Sequence, residues 1–283
     1  MKLFNTARFV CFQNLRKWSS NYRVWIIAIL LIILAHNFTK EIVDFAKDID
    51  INVTPWMFPF LFTQKFIKLL FLFPLILLFS DAPFIDDNQP YIIARSGRIP
   101  WSIGQIGYIF IASAVYFVFL LILTIGINLF NIQFSLEWGK VLGTLANTNA
   151  PDLVGLKTFI PADILHYFSP IQALWFSLLL SWLTGVLLGL IIYVINSFSN
   201  TRVFGILTAS FLLVLDATVT NKDYLYRFSP VSWSNLARID INGTTQMPSI
   251  TYIYTGFALL IVTMIVSAIV INRKQTINVL PPI

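Results

Sequence analysis

Charged residues are scarce in this sequence. Only 11% of the 283 residues are Asp, Glu, Lys or Arg, whereas 57% are hydrophobic. A soluble domain carries about 25% charged residues, and it needs them to cover an apolar interior of this size. The shortage of charge therefore excludes an ordinary soluble fold and predicts an integral membrane protein.

Residues for disulfides and metal sites are nearly absent as well. Cys11 is the single cysteine, so no disulfide can form within the chain. His36 and His166 lie far apart in sequence without a cysteine cluster nearby, which argues against a zinc site. No metal ion and no other cofactor is predicted.

The sequence lacks catalytic signatures. It contains no G-x-x-x-x-G-K-[ST] phosphate loop, no H-E-x-x-H and no G-x-S-x-G. The adjacent acids Asp86 and Asp87 lie in a polar loop, where capping a helix is favoured over acid–base chemistry. We therefore predict a protein that is not an enzyme and does not hydrolyse ATP itself. Its net charge of +6 is expected of a membrane protein with a basic inner side, so no nucleic-acid partner is predicted.

Long apolar runs are abundant. A helix needs roughly 20 apolar residues to cross a bilayer, and residues 24–283 contain six runs of about this length. The predicted fold class is an all-α integral membrane protein with six transmembrane helices. The predicted spans are 24–38 (or to 43), 58–79, 101–130, 170–195, 203–220 and 250–271.

Residues 1–23 precede these spans and are amphipathic. A basic amphipathic helix that ends in Trp18 is typical of helices that lie in the membrane interface, and packing on a soluble partner is the alternative. The apolar stripe, at three- and four-residue spacing, consists of Leu3, Phe4, Ala7, Val10, Cys11, Leu15 and Trp18.

The distribution of Lys and Arg predicts the orientation. Lys and Arg concentrate on the cytoplasmic side of membrane proteins, which favours both termini inside and outer loops at 131–169 and 221–249. A composition rich in Ile, Phe, Asn and Lys is typical of an AT-rich bacterial genome. The chain is expected to be a multi-pass protein of the cell membrane. The inner basic residues are then Lys2, Arg8, Arg16, Lys17, Arg23, Arg95, Arg98, Arg202, Arg273 and Lys274.

Three charged residues fall within predicted spans. Lys65 and Lys68 lie three residues apart on one helix face, and snorkelling toward the headgroups is favoured over contact with a substrate. Asp216 lies about one turn from the end of the fifth span. There an interfacial cap is slightly favoured over an ion or proton site.

Small residues mark one face of the fourth span. Ser181, Gly185 and Gly189 recur every four residues, which lets another helix approach closely within lipid. A dimer or gate interface and packing within the same bundle are equally open.

Two segments between spans have distinct compositions. Segment 81–100 is the only inner loop long enough to fold a helix and present it to the cytoplasm. Residues 230–238, between the fifth and sixth spans, are too polar to cross the membrane and too apolar for a free loop, so a short helix of about two turns in the outer interface is predicted. The residues of segment 81–100 that could contact a partner in the cytoplasm, which we call the candidate coupling residues, are Asp81, Pro83, Phe84, Asp86, Asp87, Arg95 and Arg98.

In this order, the features resemble the permease subunit of a type-2 ABC exporter. That family has an interfacial N-terminal helix, six spans with both ends inside, a coupling helix between the second and third spans, and re-entrant helices between the fifth and sixth. The run Y-I-I-A-R-S-G-R-I-P-W-S-I-G-Q, residues 91–105, is similar to R-x-G-R-x-x-W-x-x-G-Q stretches of such permeases from Gram-positive bacteria.

The resemblance implies the partners and the activity. The chain would form a translocation path as a homo- or heterodimer of permease subunits in the lipid bilayer. A separate cytoplasmic ABC ATPase would dock on segment 81–100. Because the spans are apolar throughout, an amphipathic peptide or a lipid-like molecule is the expected substrate.

A different class of function is the alternative. A polytopic membrane protein without energy coupling, such as an immunity or sensor protein, would bind a ligand with its large outer loops. A membrane enzyme ranks third, because no combination of acid, nucleophile and metal ligands supports it.

Overall fold

The computed structural model describes residues 2–85, 89–155, 158–218 and 223–274. Within these ranges the chain is helical, with only two isolated β-bridges. The α-helices described are α1 (Lys2–Arg16), α2 (Tyr22–Asp48), α3 (Lys65–Phe79), α4 (Gln89–Ser96), α5 (Arg98–Gly126), α6 (Gly139–Asn147), α7 (Ala150–Val154), α8 (Ala162–Tyr167), α9 (Pro170–Ser199), α10 (Val203–Thr218) and α11 (Ile250–Lys274).

Four of these helices, α2, α5, α9 and α11, are long and apolar enough to cross a membrane. Each has more than the roughly 20 residues that a bilayer core requires. Two further apolar helices are shorter, with 15 residues in α3 and 16 in α10. The all-helical prediction is confirmed for the residues described, and the four long helices indicate a membrane protein.

The six apolar helices alternate in direction, as polar contacts at their ends reveal. At one end, which we call the Asp81 end, Asp81 after α3 forms ion pairs with Arg23 at the start of α2 and Arg202 before α10. At the opposite Asp216 end, Lys68 at the start of α3 forms an ion pair with Asp216 near the end of α10. Helices α2 and α10 therefore run antiparallel to α3.

A buried hydrogen-bonded triangle orients the other three helices relative to one another. The Asn272 amide nitrogen donates to the Tyr193 hydroxyl at 2.8 Å and to Ser102 Oγ at 3.2 Å, and the two hydroxyl oxygens are 3.0 Å apart. Ser102 lies at the start of α5, whereas Tyr193 and Asn272 lie near the ends of α9 and α11. Helix α5 therefore runs opposite to both.

Helix α1 packs on the first turns of α5. A Cβ atom at Gly104 would lie 2.7 Å from both the Ala7 carbonyl oxygen and Val10 Cβ, so the close approach requires glycine. Ala7, Val10 and Cys11, from the predicted apolar stripe, are buried in this contact. The stripe therefore covers a helix of the same chain.

Two side-chain hydrogen bonds extend the contact of α1 with α5. The Asn14 amide donates to Gln105 Oε1 at 2.9 Å in a buried position, and the Trp18 indole donates to the Tyr108 hydroxyl at 2.9 Å. Polar groups buried away from water require such partners. These two hydrogen bonds fix the position of α1 along α5 more specifically than apolar contacts alone.

The predicted continuous span 58–79 is wrong. Phe58–Phe62 form a 3-10 turn, Gln64 is extended (φ −97°, ψ 137°), and only then does α3 begin. The polar pair Thr63 and Gln64 interrupts the apolar run. The Thr63 carbonyl accepts a hydrogen bond from the Asn235 amide at 3.0 Å. In a continuous helix this carbonyl would instead be engaged by a backbone hydrogen bond of the helix.

Helix α2 is longer than the predicted first span. The sequence predicts an end at residue 38 or 43, but the helix continues to Asp48. Its polar side chains have partners without breaking the helix: Thr39 Oγ1 donates to the Ala35 carbonyl at 2.9 Å, and Glu41 accepts from Thr158.

The predicted outer loop 131–169 contains three short helices, α6 to α8.

The segment between α10 and α11 forms what we call the strap, residues 223–238. The single helix predicted here is instead three 3-10 turns, Asp223–Phe228, Ser232–Ser234 and Leu236–Arg238. Trp233 anchors the strap: its side chain is buried, its ring lies 5.0 Å from that of Phe257 on α11, and its indole donates to the Tyr226 carbonyl at 3.0 Å. The strap is thus packed into the Asp216 end.

Candidate functional site

Asp81 is the centre of the polar cluster at the Asp81 end. Its carboxylate forms an ion pair with Arg23, and its second oxygen lies 3.4 Å from Arg202 Nη1. Arg23 also donates to Ser80 Oγ at 3.3 Å. Since about a third of the Asp81 side chain is exposed, solvent weakens each pair. The arrangement nevertheless joins the end of α3 to α2 and α10.

Asn196, which sequence reasoning missed, strengthens this cluster. Its buried amide donates to the Ala82 carbonyl at 2.8 Å, and its side-chain oxygen accepts from the Gly205 backbone nitrogen at 2.8 Å. One side chain of α9 thereby holds both the loop after α3 and the start of α10. A lone Asn near the end of an apolar span, just before a very short turn, was the signal for this role.

Phe84 is packed against the chain itself. Its ring lies 4.7 Å from the Tyr108 ring on α5 at an angle of 74°, and both Phe84 and Pro83 are half-buried. Phe84 is one of the candidate coupling residues, and this ring contact ties the loop after α3 to α5 of the same chain.

The two predicted arginines separate. Arg95 on α4 is exposed, whereas Arg98 at the start of α5 donates to the Arg273 carbonyl at 3.2 Å near the end of α11. The predicted coupling residues Asp86 and Asp87 lie outside the described residues. Of the two predicted coupling arginines, Arg95 is therefore the one whose side chain is exposed and accessible to a partner.

A groove separates α1 from α4, and we call it the α1–α4 groove. Its volume is about 760 Å³, and its lining includes Phe9 and Gln13 of α1 together with Tyr91, Ile92 and Arg95 of α4. Phe9 and Tyr91 are 61% and 74% exposed. Exposed aromatic rings beside an arginine match the composition of protein interaction sites.

The second polar cluster lies at the Asp216 end and is buried. Lys68 and Asp216 form an ion pair with side chains that are 4% and 1% exposed. Asp216 Oδ1 also accepts hydrogen bonds from the strap, from Ser229 at 2.8 Å and from Ser232. Snorkelling is therefore wrong for Lys68, because Asp216 supplies a counter-charge inside the bundle. The interfacial-cap interpretation of Asp216 is replaced by a three-way junction of α3, α10 and the strap.

The remaining predicted residues have simpler surroundings. Lys65 is half-buried one turn before Lys68. A Cβ at Gly185 would lie 2.7 Å from the Phe117 ring, and one at Gly189 would lie 2.7 Å from an Ile109 methyl. The close approach that these glycines allow is thus made by α5 of the same chain. Ser181 is buried, and its hydroxyl has no hydrogen-bond partner in the part of the chain that is described.

In the described ranges, no three or more His, Cys, Asp or Glu side chains are grouped so that they could hold a metal ion. The chemistry available in the two clusters is ion pairing and hydrogen bonding between helices. Comparison of the chain with protein-family models, curated proteins and solved structures finds no match.

Proposed function

We propose that the chain is the membrane-spanning permease subunit of a type-2 ABC exporter. In this proposal the six apolar helices are six spans in a bacterial cell membrane, and the Asp81 end faces the cytoplasm. Two such subunits form the translocation path, and a separate ATPase drives it. An amphipathic peptide or a lipid-like molecule is the substrate.

The observation that carries the proposal is how segment 81–85 is tied to the bundle. Asp81 pairs with α2 and with Arg202 before α10, and Asn196 of α9 holds the Ala82 carbonyl. A force applied to this segment from the cytoplasm would therefore be transmitted directly to three helices. A subunit without a nucleotide site requires such a transmission element.

Two further observations support the same orientation. Because the apolar helices alternate in direction, α1 and the last turn of α11 both lie at the Asp81 end. This end also carries Arg23, Arg98, Arg202 and Arg273, whose positions fit the excess of basic residues on the cytoplasmic side. The α1–α4 groove would offer the ATPase an exposed aromatic and cationic surface.

Co-purification tests the ATPase partner. The full chain, affinity-tagged and extracted from its native membrane in mild detergent, is expected to bring an ABC ATPase with it. Arg95→Glu reverses the charge in the groove and is expected to abolish that association, whereas Arg227→Glu, an exposed arginine of the strap, leaves it intact. Absence of an ATPase from the wild-type preparation, combined with ligand binding by the outer loops, would favour the sensor or immunity class instead.

Cysteine accessibility tests the orientation independently of any partner. In a Cys11→Ser background, Asn242→Cys between the strap and α11 is expected to react with a membrane-impermeant maleimide in intact cells. Thr201→Cys, in the turn between α9 and α10, is expected to react only after the cells are permeabilised. The reverse pattern would place the Asp81 end outside and rule out the proposed coupling.

A further inference from the structure

A cavity of about 160 Å³ lies beneath the strap, and we call it the strap cavity. Its floor is formed by buried residues of α9, including Thr184 and Leu188, and one wall by Leu212 of α10. The strap covers it with Pro230 and Val231. The cavity is therefore bounded by two apolar helices and the segment that joins α10 to α11.

The lining of the strap cavity offers almost no hydrogen-bonding capacity. Of the side chains that surround it, only Thr184 and Ser229 carry hydroxyl groups. Thr184 Oγ1 donates to the Leu180 carbonyl at 2.9 Å, and Ser229 Oγ donates to Asp216 at 2.8 Å. Because a buried water needs two to four polar partners, this site is suited to carbon rather than to water.

The size and the opening of the strap cavity define the ligand further. A cavity of about 150 Å³ with aliphatic and aromatic walls binds a molecule of the size of benzene, so this one accommodates a small ring or the end of an alkyl chain. Leu215 and Phe228 line it and are 41% and 76% exposed. Both side chains are apolar, so the entrance is apolar as well.

We propose that the strap cavity is a binding site for the end of an alkyl chain. The chain belongs either to a bilayer lipid or to an amphiphile taken up from water, and both present the same chemistry to these walls. The cavity lies next to the Lys68–Asp216 ion pair through Ser229, so the site is positioned at the junction of α3, α10 and the strap. The proposal requires neither an ATPase nor transport.

Photolabelling of the purified full chain in phosphatidylcholine nanodiscs tests the site. One sample contains phosphatidylcholine with a diazirine at the end of an acyl chain, and a second receives a diazirine-bearing fatty acid from water. We expect adducts on Leu212, Leu215 or Phe228 in at least one sample. Labelling by the lipid identifies a bilayer source, and labelling by the fatty acid alone identifies a soluble amphiphile.

Cavity-filling variants separate this site from general lipid contact. Leu188→Phe fills the floor, and Leu212→Phe adds volume at a residue that is only partly buried, so it is tolerated even where Leu188→Phe impairs folding. Both are expected to lose the adducts on the cavity-lining residues Leu215 and Phe228. Leu179→Phe, on the exposed side of α9, is the matched control and should retain them.

Persistence of the adducts on Leu215 and Phe228 in both filling variants, with folding intact, would overturn the proposal. So would the absence of adducts on Leu212, Leu215 and Phe228 with both probes in the wild-type chain. Because the readout is taken on the isolated chain, its result is independent of whether an ATPase co-purifies. The two proposals can therefore fail separately.

Discussion

Trp233 of the strap occupies the space that Gly256 of α11 leaves free. A Cβ atom at Gly256 would lie 2.6 Å from the Trp233 Cη2 atom, and the indole is buried against Phe257 and Tyr252. The strap is therefore held to α11 by ring packing at a glycine. On its other side it is held by hydrogen bonds to Asp216.

Gly256→Ala should loosen the strap. The added methyl overlaps a buried ring, and overpacking of this kind costs about 1–3 kcal/mol. Equilibrium unfolding of the purified chain in mixed detergent–SDS micelles measures the change. Gly143→Ala on α6, where a Cβ would meet nothing within 4 Å, is the control and should be neutral or slightly stabilising. Equal stability of the two variants would contradict the packing described.

Removing one member of the Lys68–Asp216 ion pair should lower the stability of the chain strongly, whereas replacing both members with apolar residues should lower it little. Lys68→Met leaves Asp216 buried without its counter-charge, which costs about 3–5 kcal/mol in the same unfolding measurement. The double variant Lys68→Met with Asp216→Leu removes both charges and should recover most of that loss.

An exposed pair provides the control for this cycle. Lys47 Nζ lies 4.0 Å from Asp44 Oδ1, and both side chains are more than half exposed. Lys47→Met should change stability by less than about 1 kcal/mol. If the double variant at Lys68 and Asp216 were as unstable as Lys68→Met alone, the junction would depend on more than the compensation of charge.

Cys11 should report whether α1 is seated on α5. Its side chain is 5% exposed, and burial raises the pKa of the thiol, so the reactive thiolate is scarce near neutral pH. In the native chain, maleimide labelling should be slow and should accelerate as the pH rises toward that raised pKa.

Gly104→Leu should expose Cys11, because the new side chain collides with Ala7 and Val10 of α1. Labelling at pH 7 is then expected to be faster than in the native chain and to follow the pH profile of an ordinary thiol. Gly126→Leu, with nothing within 4 Å of its Cβ position, should leave the rate unchanged. Slow labelling in both variants would show that α1 stays in place without the glycine.

Asn196→Ala should weaken the Asp81 end. The change deprives the Ala82 carbonyl and the Gly205 nitrogen of their buried partner, at a cost of about 1–3 kcal/mol. Asn147→Ala, an exposed amide on α6, should have little effect. If Asn196→Ala unfolds like the native chain, Asp81 and its arginines alone suffice to hold this end.

The helices themselves were largely predictable from the sequence. Continuous apolar runs predicted α5, α9, α10 and α11 because hydrophobicity of span length has few alternatives to a membrane helix. Boundaries were less predictable where polar residues stand in apolar surroundings. Helix α2 continues through Thr39 and Glu41 because each side chain has a hydrogen-bond partner. The apolar run is interrupted at Thr63 and Gln64, where the Thr63 carbonyl accepts a hydrogen bond from Asn235.

The buried junction was predictable only in its parts. Lys65, Lys68 and Asp216 stood out as charges within spans, and all three fell near the same side of the predicted bundle. Their pairing depends on α3 and α10 being neighbours, which hydropathy does not encode. The contributions of Ser229 and Ser232 depend on the fold of the strap, for which the sequence predicts only a short interfacial helix.

The Lys68–Asp216 pair also has a consequence for biosynthesis. Asp216 is made roughly 150 residues after Lys68, which at about 5–20 residues per second corresponds to a delay of roughly 7–30 s. During that interval the Lys68 ammonium group lacks its carboxylate partner. The junction of α3, α10 and the strap can therefore form only after α10 has been made.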